Sequence, residues 1–152
     1  GWTWPSAPRR FINNVSLLPL EVSSRLTVEN DDKANMFSVT DLLEVSDSTG
    51  VPIVFDYHHH LFRNGDLTTE EAFELAYHTW PSSIIPIVHY SSSRRKYEDP
   101  LSTDTAHADY IYEPINLFGR KVDIMLEAKA KEQATLRYRA GLIKFDVNLL
   151  KE

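Results

Sequence analysis

The sequence contains no cysteine, which excludes a disulfide framework and any thiolate-bound metal and suits a reducing compartment. Glycine is scarce, at 5 of 152 residues. No Gly-rich phosphate cradle, P-loop or G-x-S-x-G nucleophile elbow occurs. No run of about 18 apolar residues is present, so no segment reads as a membrane span. No basic-then-apolar secretory leader is visible either. The first residue is Gly1, as expected where a sequence begins inside a longer protein or follows a removed tag. Positive charge is also short: 16 Lys and Arg stand against 22 Asp and Glu, for a net charge of −6. That balance counts against a simple basic nucleic-acid binder, since phosphate contacts need cations. One local exception is SSSRRKY at residues 91–97, and bound divalent ions would cancel part of the acidic excess.

What is present suits one globular domain over residues 1–152, with 42% apolar and 25% charged residues. Four short, β-branched apolar runs read as strands: RLTVE (25–29), PIVF (52–55), IIPIV (84–88) and VDIML (122–126). They are continuous rather than alternating, the pattern of parallel strands buried on both faces. Helical stretches lie between them. SVTDLLEVSD (38–47) has Ser38 and Thr40 as candidate caps, and Gly50 with Pro52 ends it. TTEEAFELAYHTW (68–80) carries a Thr68-x-x-Glu71 capping box. KEQATLRYRAG (131–141) stops at Gly141, and FINNVSLLPLEV (11–22) reads as a helix broken near Pro19. Strand and helix alternating at intervals of roughly 30 residues indicate parallel βα units. Four such units amount to half of a (β/α)8 barrel, which typically takes ~250 residues. A small open doubly wound sheet is the alternative, and length alone favours it.

The strand ends carry the chemistry. Strand 25–29 closes on Glu29, 52–55 runs into Asp56 and the triplet containing His59, 84–88 into His89, and 122–126 into Glu127. A histidine triplet is usually a solvated cluster. Here it joins a set in which every strand finishes in a side chain able to bind a hard or borderline divalent ion. In α/β barrels the loops that follow the strands converge on that face. Glu29 and Glu127 are candidates to bridge ions, and imidazoles from His59, His89 and His107 would favour manganese or zinc over magnesium. His107, in TAHADYI, precedes no clear strand and taken alone reads as surface. His78 reads as a packed or capping histidine within its helix. The serines at 91–93 follow His89, but no carboxylate is placed to orient that histidine in a triad.

The strings RLTVENDD (25–32), VPIVFDYHHH (51–60), IPIVHYSSS (85–93), HADYI (107–111) and DIMLEAKAKEQATLRYR (123–139) resemble, in order and spacing, signatures of the UV-damage endonucleases. FINNVSLLPLEVSSRL (11–26) is similar to the segment preceding the first signature. The resemblance runs from about residue 9 to 140. It implies an α/β fold, the C-terminal half of a TIM (β/α)8 barrel related to endonuclease IV and the xylose isomerases. It also implies a DNA repair endonuclease that cuts 5′ to UV lesions by divalent-metal-assisted hydrolysis, with manganese the leading ion and zinc or magnesium the alternatives. By the same motifs Glu29, Asp56, His59, His89, His107 and Glu127 would be metal ligands. Glu29, Asp56 and Glu127 would be catalytic, and Arg94, Arg95 and Lys96 would bind phosphates of damaged double-stranded DNA. A cytoplasmic location follows, on the nucleoid in a bacterium.

The sequence departs from the family's pattern in two respects. Its relatives are about twice as long, and an expected lysine two residues before His89 is Ile87. This chain alone is therefore expected to be weak or inactive as a nuclease. Four βα units would also leave sheet edges that a second copy could close as a homodimer. A noncatalytic, self-associating half-barrel and a sugar isomerase or epimerase of the same superfamily are the competing readings, the second disfavoured by the ENDD and EAKAKE strings.

Overall fold

A computed structural model describes residues 6–141. It contains α1 (Ser6–Val15), α2 (Leu20–Ser23), β1 (Val28–Glu29), α3 (Val39–Thr49), β2 (Ile53–Asp56) and α4 (Tyr57–Phe62). Then follow α5 (Thr69–Tyr77), β3 (Ile87–Tyr90), α6 (Arg94–Tyr97), β4 (Asp123–Leu126) and α7 (Glu132–Arg139). The opening GWTWP and the end of the chain beyond Gly141 lie outside the described residues. No described helix is long and apolar enough to cross a membrane.

The four strands form one sheet in the order β1-β2-β3-β4, every neighbouring pair parallel. Chain order and spatial order coincide, as in consecutive βα units of a barrel rather than a doubly wound sheet, whose order reverses at a switch point. The open-sheet alternative is thereby set aside.

Sequence chemistry explains the principal helices. Ser38 caps α3 in a capping box with Asp41, and Gly50 closes it in the left-handed region at φ 72°. Thr68 and Glu71 form the corresponding box on α5. The segment read as one broken helix over 11–22 is α1 followed by the single-turn α2, with Pro19 at the N-cap of α2. Two short helices have no counterpart in the sequence pattern: α4, which starts directly after β2 with Asp56 as its N-cap, and α6.

Strand boundaries shift towards the C-terminus. β1 keeps only the last two residues of the expected run. β3 begins at Ile87 rather than 84, because Pro81 opens a turn whose carbonyl accepts from Ile84 N–H, and Pro86 has no N–H to give the ladder. Ahead of β3, the Ile53 N–H donates to Thr79 Oγ1 at 2.8 Å and its carbonyl accepts from Trp80 Nε1 at 2.8 Å, tying the start of β2 to the end of α5.

The core lies between the sheet and its helices. Ile53, Phe55, Val88 and Tyr90 meet Val39, Leu42, Ala72, Phe73 and Ala76. The Phe55 and Phe73 rings stand edge to face at 6.0 Å. Burial on both strand faces, expected for all four, holds for β2 alone, whose residues are all buried. In β3 and β4 burial alternates. Val88, Tyr90, Ile124 and Leu126 turn to the helices, while Ile87, His89, Asp123 and Met125 take the opposite face, where Met125 is 52% exposed. That second face would be the interior of a closed barrel, and it carries Glu29, Asp56 and His89 of the strand-end set.

Candidate metal centre

The sheet register assembles the site. Glu29 pairs with Val54 and Asp56 with His89, so Glu29, Asp56 and His89 rise on the same face of adjacent strands near their C-terminal ends. Glu127 follows β4 and continues the ladder, its N–H donating to the Tyr90 carbonyl at 2.9 Å.

Asp56 explains the histidine triplet. It is the last residue of β2 and the N-cap of α4, and its Oδ1 accepts the His59 N–H at 2.8 Å. The helix therefore turns directly on the strand end and brings His59 back over the carboxylates. His58 and His60 point into the protein, both essentially buried. The His58 Nε2 lies 3.2 Å from the Thr105 carbonyl and its ring packs on Phe62 and His107, whereas His60 lies against Phe55. Only the middle histidine joins the cluster.

Two groups of donor atoms gather, each within 4.8 Å: Glu29, His89 and Glu127, and Glu29, Asp56 and His59. Glu29 is common to both. Its Oε1 lies 2.9 Å from His89 Nδ1 and 3.5 Å from His59 Nδ1. Glu127 Oε1 lies 3.4 Å from the same His89 nitrogen. His107, expected from its sequence alone to sit at the surface, is partly buried beside them. Its residue forms an antiparallel bridge with Ser93, and its Nδ1 lies 3.0 Å from the Glu127 carbonyl and 3.8 Å from that residue's Oε2. His78 stays apart: it is the C-cap of α5 and pairs with Glu74 at 3.3 Å.

The acid–base properties follow from this crowding. Burial pushes the Asp56 carboxyl up to about 7, opposed by the His59 N–H and imidazole and reinforced by the Glu29 and Glu127 charges. Burial also pushes Glu29 up, but the hydrogen bond and charge of His89, with His59 beyond, outweigh it and hold Glu29 below the usual carboxylate range. His89 is raised, first by its hydrogen bond to Glu29. For His59, burial lowers the value, yet Asp56, the Asn30 carbonyl and Glu29 together leave it raised. His58 and His60 are lowered by burial.

A divalent cation fits these residues. Asp56 Oδ2 is buried with no hydrogen-bond partner, a costly state for a carboxylate oxygen unless something positive meets it. The surrounding donors are the carboxylate and imidazole types that manganese and zinc accept.

The basic cluster has a different setting from the one its composition suggests. Arg94, Arg95 and Lys96 form most of α6, and each faces an acid from the following loop. Arg94 lies 3.7 Å from Asp109, Arg95 2.6 Å from Asp104, and Lys96 3.4 Å from Glu113. Their charge is matched one for one. Ile87 takes the same face as His89, half-buried, two residues before it.

Consecutive parallel strands with carboxylates and imidazoles converging at their C-terminal ends define about half of a (β/α)8 barrel with donor groups that could hold a cation. The family model for UV-endonuclease UvdE matches residues 6–149, and the chain belongs to that family. A UV DNA damage endonuclease of Bacillus pumilus is 36% identical over 137 residues, covering 87% of this chain and 42% of the relative. One from Bacillus cereus strain Q1 is 35% identical over 141 residues with the same coverage. The crystal structure of SacUVDE matches with a TM-score of 0.71 and 35% identity, over 91% of this chain and 47% of that one. The chain thus spans less than half the length of these relatives.

Proposed function

We propose that this chain is the C-terminal, ligand-bearing half of a DNA repair endonuclease that hydrolyses the backbone 5′ to UV lesions with divalent ions, manganese foremost, in damaged double-stranded DNA. The observation that carries the reading is the shared-carboxylate cluster, Glu29 between His89 with Glu127 and Asp56 with His59, in a chain of the UvdE family. A cation bound there supplies Lewis-acid stabilisation of negative charge on a phosphate. Glu29 would serve as the shared ligand, Asp56 as a donor with a free buried oxygen, and His59, His89, His107 and Glu127 as the remaining ligands. The isomerase or epimerase reading gives way to the family match.

Arg94, Arg95 and Lys96 would hold DNA phosphates only by exchanging their carboxylate partners. Such exposed pairs are worth about 0–1 kcal/mol, so the exchange is cheap. Ile87, which offers no ligand atom, supports weak or absent activity in the isolated chain, and a noncatalytic half-barrel stands as the second reading on that ground.

Nicking of UV-irradiated supercoiled plasmid in the presence of Mn²⁺ tests the proposal. The chain alone is expected to nick little or not at all. Strong lesion-dependent nicking that Glu127→Ala abolishes would show that the residues present suffice. Failure to bind both Mn²⁺ and irradiated duplex would favour the noncatalytic reading.

A further inference from the structure

Asn30 is fully buried immediately after Glu29. Its side chain does what a backbone would do one step further along the ladder. The Nδ2 donates to the Asp56 carbonyl at 3.0 Å, and the Oδ1 accepts the Asp56 N–H at 2.8 Å. Only one orientation of the amide satisfies both bonds. Because the side chain takes over this strand pairing, the Asn30 carbonyl is released, and it meets His59 Nδ1 at 2.8 Å.

These contacts close a circuit. The Asn30 amide holds the Asp56 backbone, the Asp56 carboxylate holds the His59 N–H, and the His59 ring returns to the Asn30 carbonyl. A carbonyl oxygen only accepts, so Nδ1 carries the proton towards Asn30. That contact is shorter than those from Nδ1 to Glu29 Oε1 at 3.5 Å and Asp56 Oδ2 at 3.8 Å. In the neutral ring the lone pair is then on Nε2.

We infer that Asn30 is a positioning residue that fixes Asp56 and His59 as one unit and sets His59 in the Nδ1–H tautomer, leaving Nε2 as the nitrogen that binds a cation. The inference rests on the metal reading above for its purpose, while the tautomer itself does not. Outer hydrogen-bond partners of this kind orient ligands, and their loss typically costs about 10–100-fold in metal affinity. The sequence signal is an amide directly after a strand-end glutamate, which could as easily have been a turn residue.

Nitrogen-15 NMR of the metal-free protein at alkaline pH, where imidazoles are neutral, reads the tautomer. Wild type is expected to show His59 protonated at Nδ1, and Asn30→Ala a mixture. A wild-type ring protonated at Nε2 overturns the inference without any variant. Calorimetry with Mn²⁺ is expected to show affinity about 10–100-fold weaker in Asn30→Ala, while Thr79→Val, which removes the bond from the Ile53 N–H at the opposite end of β2 and so destabilises the fold away from the circuit, keeps the wild-type value. Equal losses in both variants would reduce Asn30 to a structural part and overturn the inference. Should Asn30→Ala not fold, Asn30→Asp keeps the size and the acceptor for the Asp56 N–H but removes the donor, and the same losses are expected. If wild type takes up no Mn²⁺, the metal reading fails, and the tautomer still decides this one.

Discussion

His59 stands between two histidines, and helix geometry separates them. Successive residues on a helix point about 100° apart, so with His59 over the carboxylates, His58 and His60 must turn elsewhere, and both enter the interior. The distinction depends on Asp56 acting at once as strand end, helix cap and site carboxylate. Its neighbours Glu29 and His89 form the shortest side-chain contact in the cluster, 2.9 Å, and His89 also reaches Glu127. Removing both should therefore dismantle both donor groups. Calorimetric titration with Mn²⁺ is expected to give weak but measurable binding by wild type and no specific heat from the Glu29→Ala, His89→Ala double variant. Equal heats would remove the assignment of these ligands.

At the scale of elements, capping chemistry written in the sequence matched the helices closely, because a cap is a local bargain between a side chain and N–H groups three residues away. On α3 the Ser38 Oγ donates to Asp41 Oδ2 at 2.7 Å and accepts the Asp41 N–H at 3.3 Å, and Arg63 binds the same carboxylate. Ser38→Ala should cost about 1 kcal/mol in urea unfolding; a change within error would mean that Arg63 alone holds the helix start. The core is less forgiving. Phe73 is completely buried and touches Phe55, Tyr57, Tyr77 and Phe118. Phe73→Ala should destabilise by about 3–5 kcal/mol, measured as a lowered urea midpoint with an unchanged slope. The helices that went unread, α4 and α6, are too short for apolar periodicity to register: six and four residues cannot display two turns of a pattern.

At the scale of the whole molecule, among the described residues the outer strands β1 and β4 each have one strand neighbour in the sheet. The face opposite the helices is partly open, with Met125 and Asp123 exposed. Unpaired strand groups and a half-covered face are templates for another chain, and a two-fold axis would offer each copy the same pair of edges. Pairing β1 of one copy with β4 of the other would close eight strands and bring two sets of strand-end ligands together. Against it, β1 is only two residues long, and α1, packed on α3, lines a cavity together with Val28 and Glu29 of β1. Sedimentation equilibrium is expected to show a concentration-dependent species of about twice the 17.5 kDa chain mass. A cooperatively folded monomer at micromolar concentration would sink the closed ring.

Local and periodic features were legible along the chain because their causes are local. They include the capping boxes at Ser38 and Thr68, the stop at Gly50, the βα alternation, and the carboxylates and imidazoles at strand ends. Tertiary structure alone decided what depends on partners distant in the chain. It selected His59 from three adjacent histidines through a cap on Asp56, brought His107 to Glu127 across 20 residues, and matched each cation of α6 with an acid from the next loop. It also used Asn30 to join Asp56 across 26 residues. The physical reason is the same in each case: a side chain's chemistry is carried by its own residue, whereas its protonation, direction and counter-charge are set by whichever atoms the fold brings within about 4 Å of it.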